Sequence, residues 1–176
     1  SMPVRMEYSV VKMVSRGVSA NWPRKAKFTL PSGRVINYGE VENDKPPLLL
    51  IHGQMSIWQD YALVMPELSK KWHIYAVDVY GHGGSSHDED LYYLDVNGDD
   101  IITFINEVIG EKTVVAGHSN GALTAAYIAA YGGENIDTAL AVFGHAHIRR
   151  RVIEDKRMLC RDIADYFLCF FKIIGI

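Results

Sequence analysis

The pentapeptide Gly117-His118-Ser119-Asn120-Gly121 sets a serine hydroxyl between two glycines. A short apolar run, Thr113 to Ala116, precedes it, and a run dense in alanine, Asn120 to Tyr131, follows. That order predicts a strand, a sharp turn and a helix. Such a turn lifts a serine hydroxyl clear of the end of a sheet, where it can attack a carbonyl carbon. The flanking glycines leave room where a β-carbon would clash. The helix N-terminus offers backbone N–H groups and the positive end of its dipole to a developing oxyanion. The plain alternative is a serine that N-caps a helix after a tight turn.

A serine held this way needs a rigid sheet beneath it, and the chain supplies the pattern for one. Lys25 to Leu30 alternates polar and apolar residues, Pro31-Ser32-Gly33 reads as a turn, and Arg34 to Glu40 reads as a second strand, together a hairpin. Leu48 to Ile51 is continuously apolar, as a parallel strand covered on both faces must be. Ile74 to Val79, Thr113 to Ala116 and Thr138 to Phe143 complete six strands. Between them, Ile57 to Lys70 has helical spacing, with Pro66 at a kink or marking an early end. A helix capped by Asp99 and Asp100 runs to Gly110, and Asn120 to Tyr131 is a third. Strands alternating with helices predict an α/β fold, a mostly parallel sheet with helices on both faces.

Two further motifs share the order of that sheet. His52-Gly53 closes the strand Leu48 to Ile51, and Asp78-Val79-Tyr80-Gly81-His82-Gly83-Gly84-Ser85 forms the loop after the next strand. With the serine pentapeptide, these three motifs over about residues 25–143 resemble the α/β-hydrolase fold family, in its serine-nucleophile branch. The resemblance implies a catalytic Ser119. It also implies an oxyanion hole made by the backbone N–H of Asn120 and that of Gln54, with Met55 as the alternative to Gln54. It implies that His52, Asp78 and His82 brace loops rather than move protons. A serine in place of aspartate at the elbow points to ester, thioester, lactone or carbon–carbon bond hydrolysis through an acyl-serine, and away from haloalkane dehalogenase or epoxide hydrolase chemistry.

The resemblance stops short at the C-terminus. The family's triad runs serine, then aspartate or glutamate, then histidine. No histidine follows His147, and only Glu134 and Asp137 fall between Ser119 and His145. His145 and His147 are therefore candidates for an unusual base. The residues after Phe143 are too few for a lid and two further strand–helix units at about 30 residues per unit. The fold is expected to be truncated after its sixth strand. The reading divides the chain into an N-terminal extension (1–24), the hydrolase core (25–143) and a lid-like or atypical helical segment (144–176). The leading functional expectation is a serine hydrolase acting on a small-molecule acyl substrate, incomplete or weakly active in this chain. The alternative is a non-catalytic protein of the same fold that binds a ligand or a partner.

Composition narrows the rest. The chain has 176 residues, 48% hydrophobic and 22% charged, with a formal net charge of −3, which gives no electrostatic reason for a nucleic-acid partner. No stretch has the length of a membrane span. The two cysteines, Cys160 and Cys169, sit nine positions apart on an expected helix, too far to bridge. A reducing, cytoplasmic setting is the expectation. Asp95, Asn97, Asp99 and Asp100 faintly resemble a calcium loop, but position 106 is asparagine where the bidentate glutamate belongs. His145 and His147 lack the spacing of a zinc site, so neither metal nor cofactor is expected. Tyr166 to Ile176 is almost wholly apolar, which predicts burial within the chain or self-association into a homo-oligomer.

Overall fold

The computed structural model describes residues 22–143 and 146–151. Seven strands form one sheet: β1 (Arg24–Thr29), β2 (Val35–Val41), β3 (Pro47–Ile51), β4 (His73–Val77), β5 (Thr113–His118), β6 (Ile136–Phe143) and β7 (Ala146–Arg151). Their order across the sheet is β1-β2-β4-β3-β5-β6-β7. The four central strands β4, β3, β5 and β6 run parallel, and β1, β2 and β7 add antiparallel edges. This is the expected α/β architecture.

The central strands are apolar because both of their faces are covered, and the period of two sorts their side chains. Leu49, Ile51, Tyr75, Val77 and Val115 point to one face, where they pack with Phe104, Ile105, Ala125 and Ile128. Leu48, Leu50, Ile74, Ala76 and Ala116 point to the other, against Trp58, Met65 and Leu68. Burying each large apolar side chain is worth about 1.5–3 kcal/mol, so the two layers hold the strand ends rigidly in register. The parallel strands place the loops after β3, β4 and β5 at a single edge, where all three motifs meet.

The helices differ from expectation at two places. Ile57 to Lys70 is not a kinked helix. It divides into a 3-10 turn, Trp58–Tyr61, and a single α-turn, α1 (Met65–Leu68), with proline in its first turn. Proline has no N–H to lose there, so Pro66 helps to start a helix rather than bend one. The second helix, α2 (Leu94–Phe104), starts before Asp99 and Asp100, which therefore lie inside it and not at its cap. It continues as a π-type turn, Ile105–Ile109, and ends at Gly110, whose φ of 69° is the left-handed C-terminal stop. The third helix, α3 (Asn120–Tyr131), has the expected bounds.

A seventh strand also follows the sixth. Within the segment read as lid-like or helical, Ala146–Arg151 instead folds back antiparallel on β6, with Phe143 opposite Ala146 and Thr138 opposite Arg151. The apolar run Tyr166 to Ile176 and both cysteines lie outside the described residues. No helix among the described residues is long and apolar enough to cross a membrane.

Candidate active site

Ser119 is the junction between β5 and α3, with φ 54° and ψ −119°. A non-glycine residue in such a conformation costs about 1–3 kcal/mol and persists only where its surroundings over-determine it. Here they do. A β-carbon on Gly117 would overlap the carbonyl of Gly121, and one on Gly121 would overlap the carbonyls of Ile51 and His52. Only glycine at both positions lets the turn close this tightly against β3. Ser119 makes no side-chain cap to α3, and its positive φ departs from the extended backbone of an N-cap residue. The N-cap alternative is thereby set aside, and the side chain is exposed.

The loop after β3 comes directly alongside. A β-carbon on Gly53 would stand 2.9 Å from that of Ser119. The side-chain amide of Asn120 donates to Gln54 Oε1 at 3.4 Å, so the two residues expected to supply oxyanion donors face each other across the serine. Met55, the alternative donor, is committed elsewhere: its backbone N–H donates to His82 Nε2 at 3.2 Å. Met55 also has φ 59° and a side chain left in solvent, 93% exposed. Beside these residues lies a cavity of about 330 Å³, lined among others by Gln54, Asn120, Tyr80, His82, Leu94 and Leu123.

The polar residues of the other two motifs are consumed by structure. His52 is buried, with Nδ1 at 2.7 Å from the Gly53 carbonyl and Nε2 accepting the Val79 N–H at 3.1 Å. Those partners assign the Nδ1–H tautomer. Burial pushes its pKa below the ordinary histidine value, and the Gly53 carbonyl and then the Asp78 carboxylate, 3.8 Å from Nε2, offset this only in part. Asp78 accepts the Trp58 N–H at 2.7 Å, the Asn37 amide at 2.6 Å and the Gly84 N–H at 3.0 Å. Its lone pairs are thus spent on holding the β4 loop to β2 and to the 3-10 turn. His82 bridges in the same manner, with Nδ1 at 3.1 Å from the Tyr80 carbonyl. Of the two base candidates, His145 lies outside the described residues. The backbone of His147 lies on β7, opposite Val142.

One cluster beside the site escaped the sequence reading. Asp100, buried in α2, receives Arg34 through Nε at 2.6 Å and Nη2 at 2.8 Å, together with the Tyr80 hydroxyl at 2.6 Å. Desolvation, and then Asp100, drive the Tyr80 pKa well above its ordinary value, while Asp100 raises that of Arg34. Asn97, also buried, accepts the Tyr80 N–H at 2.9 Å and donates to the Leu91 carbonyl at 2.7 Å. The residues that faintly resembled a calcium loop are therefore split: Asn97 and Asp100 anchor the β4 loop, and Asp99 takes the Tyr127 hydroxyl from α3. The one sequence signal was polar residues interrupting an apolar helix.

A family model described as the alpha/beta hydrolase family matches residues 48–168, running on past Phe143. The chain belongs to the alpha/beta hydrolase family. It is 27% identical over 133 residues to the AB hydrolase superfamily protein YfhM of Bacillus subtilis (strain 168), covering 73% of this chain and 46% of that protein. It is 32% identical over 111 residues to the 2-hydroxymuconate semialdehyde hydrolase of Pseudomonas sp. (strain CF600), covering 61% of this chain and 35% of that enzyme. Among solved structures it resembles a membrane phospholipase A described as a bacterial virulence factor, with a TM-score of 0.63 and 25% identity over 73% of this chain and 41% of that one. The chain thus spans less than half the length of these relatives.

Proposed function

We propose that this chain is the nucleophile-bearing part of a serine hydrolase that cleaves an ester, thioester, lactone or related acyl bond. The observation that carries the reading is the Ser119 backbone, held at positive φ on a strand-to-helix turn with its side chain left uncapped and exposed. In this mechanism Ser119 Oγ attacks the acyl carbon and gives up its proton to a base. The carbonyl oxygen, now an anion, takes the N–H groups of Asn120 and Gln54. The Met55 amide is already spent on His82, which favours Gln54 over Met55 for that role. Collapse expels the alcohol or thiol as it takes a proton, and water then releases the acid from Ser119. His145 and His147 remain the candidates for the base. The described lining of the cavity carries no Lys, Arg, Asp or Glu, which favours an uncharged acyl group.

A second reading, non-catalytic binding of a ligand or partner, is favoured by one observation. The two histidine–carboxylate pairs among the described residues, His52 with Asp78 and His73 with Glu40, are both committed away from Ser119. Hydrolysis of p-nitrophenyl acetate by the wild type, Ser119→Ala, His145→Ala and His147→Ala separates the readings. The hydrolase reading expects weak turnover that Ser119→Ala lowers, since the acyl-serine route needs its Oγ. Loss of robust turnover in a histidine variant identifies the base. Equal rates for wild type and Ser119→Ala would leave only the binding reading.

A further inference from the structure

The geometry points to His82 as the positioning residue of the oxyanion turn. Its imidazole is a brace between the loops after β4 and β3 that fixes the Gln54 amide through Met55. The inference rests on the hydrolase reading above. It begins with an oddity of the backbone: Met55 holds φ 59° with no glycine to ease it and no side-chain packing to enforce it, being 93% exposed. Something else must hold it, and the bond that does so is its own N–H donated to His82 Nε2 at 3.2 Å.

The other end of the brace is anchored. His82 Nδ1 lies 3.1 Å from the Tyr80 carbonyl, so the ring donates there and accepts from Met55. Tyr80 is itself fixed through its N–H to Asn97 and its hydroxyl to Asp100, which is paired with Arg34. Rigidity therefore runs from Arg34, just before β2, through α2 and the β4 loop into the turn that carries Gln54. Gln54, His82 and Asn120 line the same cavity, so the brace acts at the site and not at a distance from it. It also takes the Met55 amide out of competition for the oxyanion.

The brace works only while His82 is neutral, because a protonated Nε2 carries a hydrogen and meets the Met55 N–H donor to donor. The titratable groups around it are His52, whose ring centre is 5.1 Å away, and Asp78 and Tyr80 on its own loop. Tyr92 lies against Gly81, His118 beside Gly53, and Asp60 acts on His52. The closest ring, His52, has its pKa lowered by burial, and its Nε2 is already taken up by the Val79 N–H.

The test uses the full chain as wild type, His82→Phe and His82→Gln. Phenylalanine fills the space without accepting. Glutamine can present its carbonyl to Met55 and its amide N–H to Tyr80. Two readouts are taken: the pH titration of the Met55 and Gln54 backbone amides by ¹⁵N–¹H NMR, and kcat and KM for p-nitrophenyl acetate. In the wild type, acid should move both amides together. His82→Phe should abolish that response and lower kcat about 10- to 100-fold with KM little changed, as expected when oxyanion donors are misplaced by about 1 Å. His82→Gln should restore the rate while leaving the amides blind to pH. Amides that titrate unchanged in His82→Phe, or a kcat that does not fall, would overturn the brace. Equal loss in Phe and Gln variants would also overturn it, since it would mark His82 as packing alone. If Ser119→Ala proves as fast as the wild type, the hydrolase reading fails, yet the amide titration still decides whether His82 holds the turn.

Discussion

Removing the Asp78 carboxylate should cost this fold a large part of its stability, and the amount can be worked from its partners. Asp78 is 1% exposed and accepts three hydrogen bonds, from the Trp58 N–H, the Gly84 N–H and the Asn37 side-chain amide. In Asp78→Ala all three donors lose their acceptor in a place water hardly reaches. A hydrogen bond to a charged group is worth about 1.5–3 kcal/mol, and each buried donor left unpaired costs about 1–3 kcal/mol. Allowing for relaxation, the loss is about 4–6 kcal/mol, a large share of the roughly 5–15 kcal/mol that holds a domain together. Asp78→Asn should be milder. Its carbonyl can keep the Trp58 N–H, and Asn37 has a buried Oδ1 with no hydrogen-bond partner. A flip of the Asn37 amide would offer that oxygen to the N–H₂ group that the substitution introduces. Only the Gly84 bond is then lost, at about 1–3 kcal/mol. Urea unfolding followed by tryptophan fluorescence measures both, with Trp58 as a reporter beside the carboxylate. The reasoning is refuted if Asp78→Ala unfolds within about 1 kcal/mol of the wild type, or if the Asn variant is as damaged as the Ala variant. A variant that keeps its stability and loses only activity would make Asp78 a participant in chemistry rather than a brace.

Other consequences can be measured in the same way. Gly121→Ala drives a methyl group into the Ile51 and His52 carbonyls, backbone that cannot swing aside, so chemical denaturation should show a loss of at least about 2 kcal/mol. His52 has a pKa depressed by burial, so the unfolded chain binds a proton before the folded one does. Stability from this group is complete above the unfolded value near 6.5 and falls as pH drops below it, by up to about 1.4 kcal/mol per pH unit. His52→Gln should flatten that part of a pH series of thermal melts. The proposal that Tyr166 to Ile176 pairs copies of the chain is checked by light scattering on the full chain and on a version ending at Arg151. A monodisperse full-length monomer whose tail is cut rapidly by protease would end it.

What was legible in the sequence follows from which forces leave a local mark. Leu48 to Ile51 announces β3 because a strand covered on both faces has no polar positions, and Gly117 with Gly121 announces the elbow because nothing larger fits. The failures have the opposite cause. Trp58, Ala62, Met65 and Leu68 share one apolar face at helical spacing, and two short turns satisfy that face as well as one helix does. The sequence puts the start of α2 too late because Asp99 and Asp100 look like caps. Asp100, with Asn97 before it, is instead a buried polar residue, and the partners of the two include Tyr80 and Arg34, the latter 66 positions from Asp100. Hydrophobic period is written in neighbouring residues, whereas polar satisfaction is settled between distant ones.

The candidate site divides along the same line. The Ser119 turn is local, so its residues can be named from the sequence. The groups that hold the opposite wall, His82 on Met55 and Arg34 with Asp100 on Tyr80, join loops that meet only because β3, β4 and β5 run parallel and end together. Histidine at position 82 carries no sign in sequence of which nitrogen accepts or from whom. Only the left-handed Met55 beside it shows that a bond there holds the backbone against its own preference. In this fold the Ser119 turn is set by steric necessity at two glycines. The Gln54–Met55 turn opposite it is set by hydrogen bonds that any one substitution can break. Variants at Arg34, Asp100 or His82 should therefore loosen the Gln54–Met55 turn while leaving the Ser119 turn itself intact.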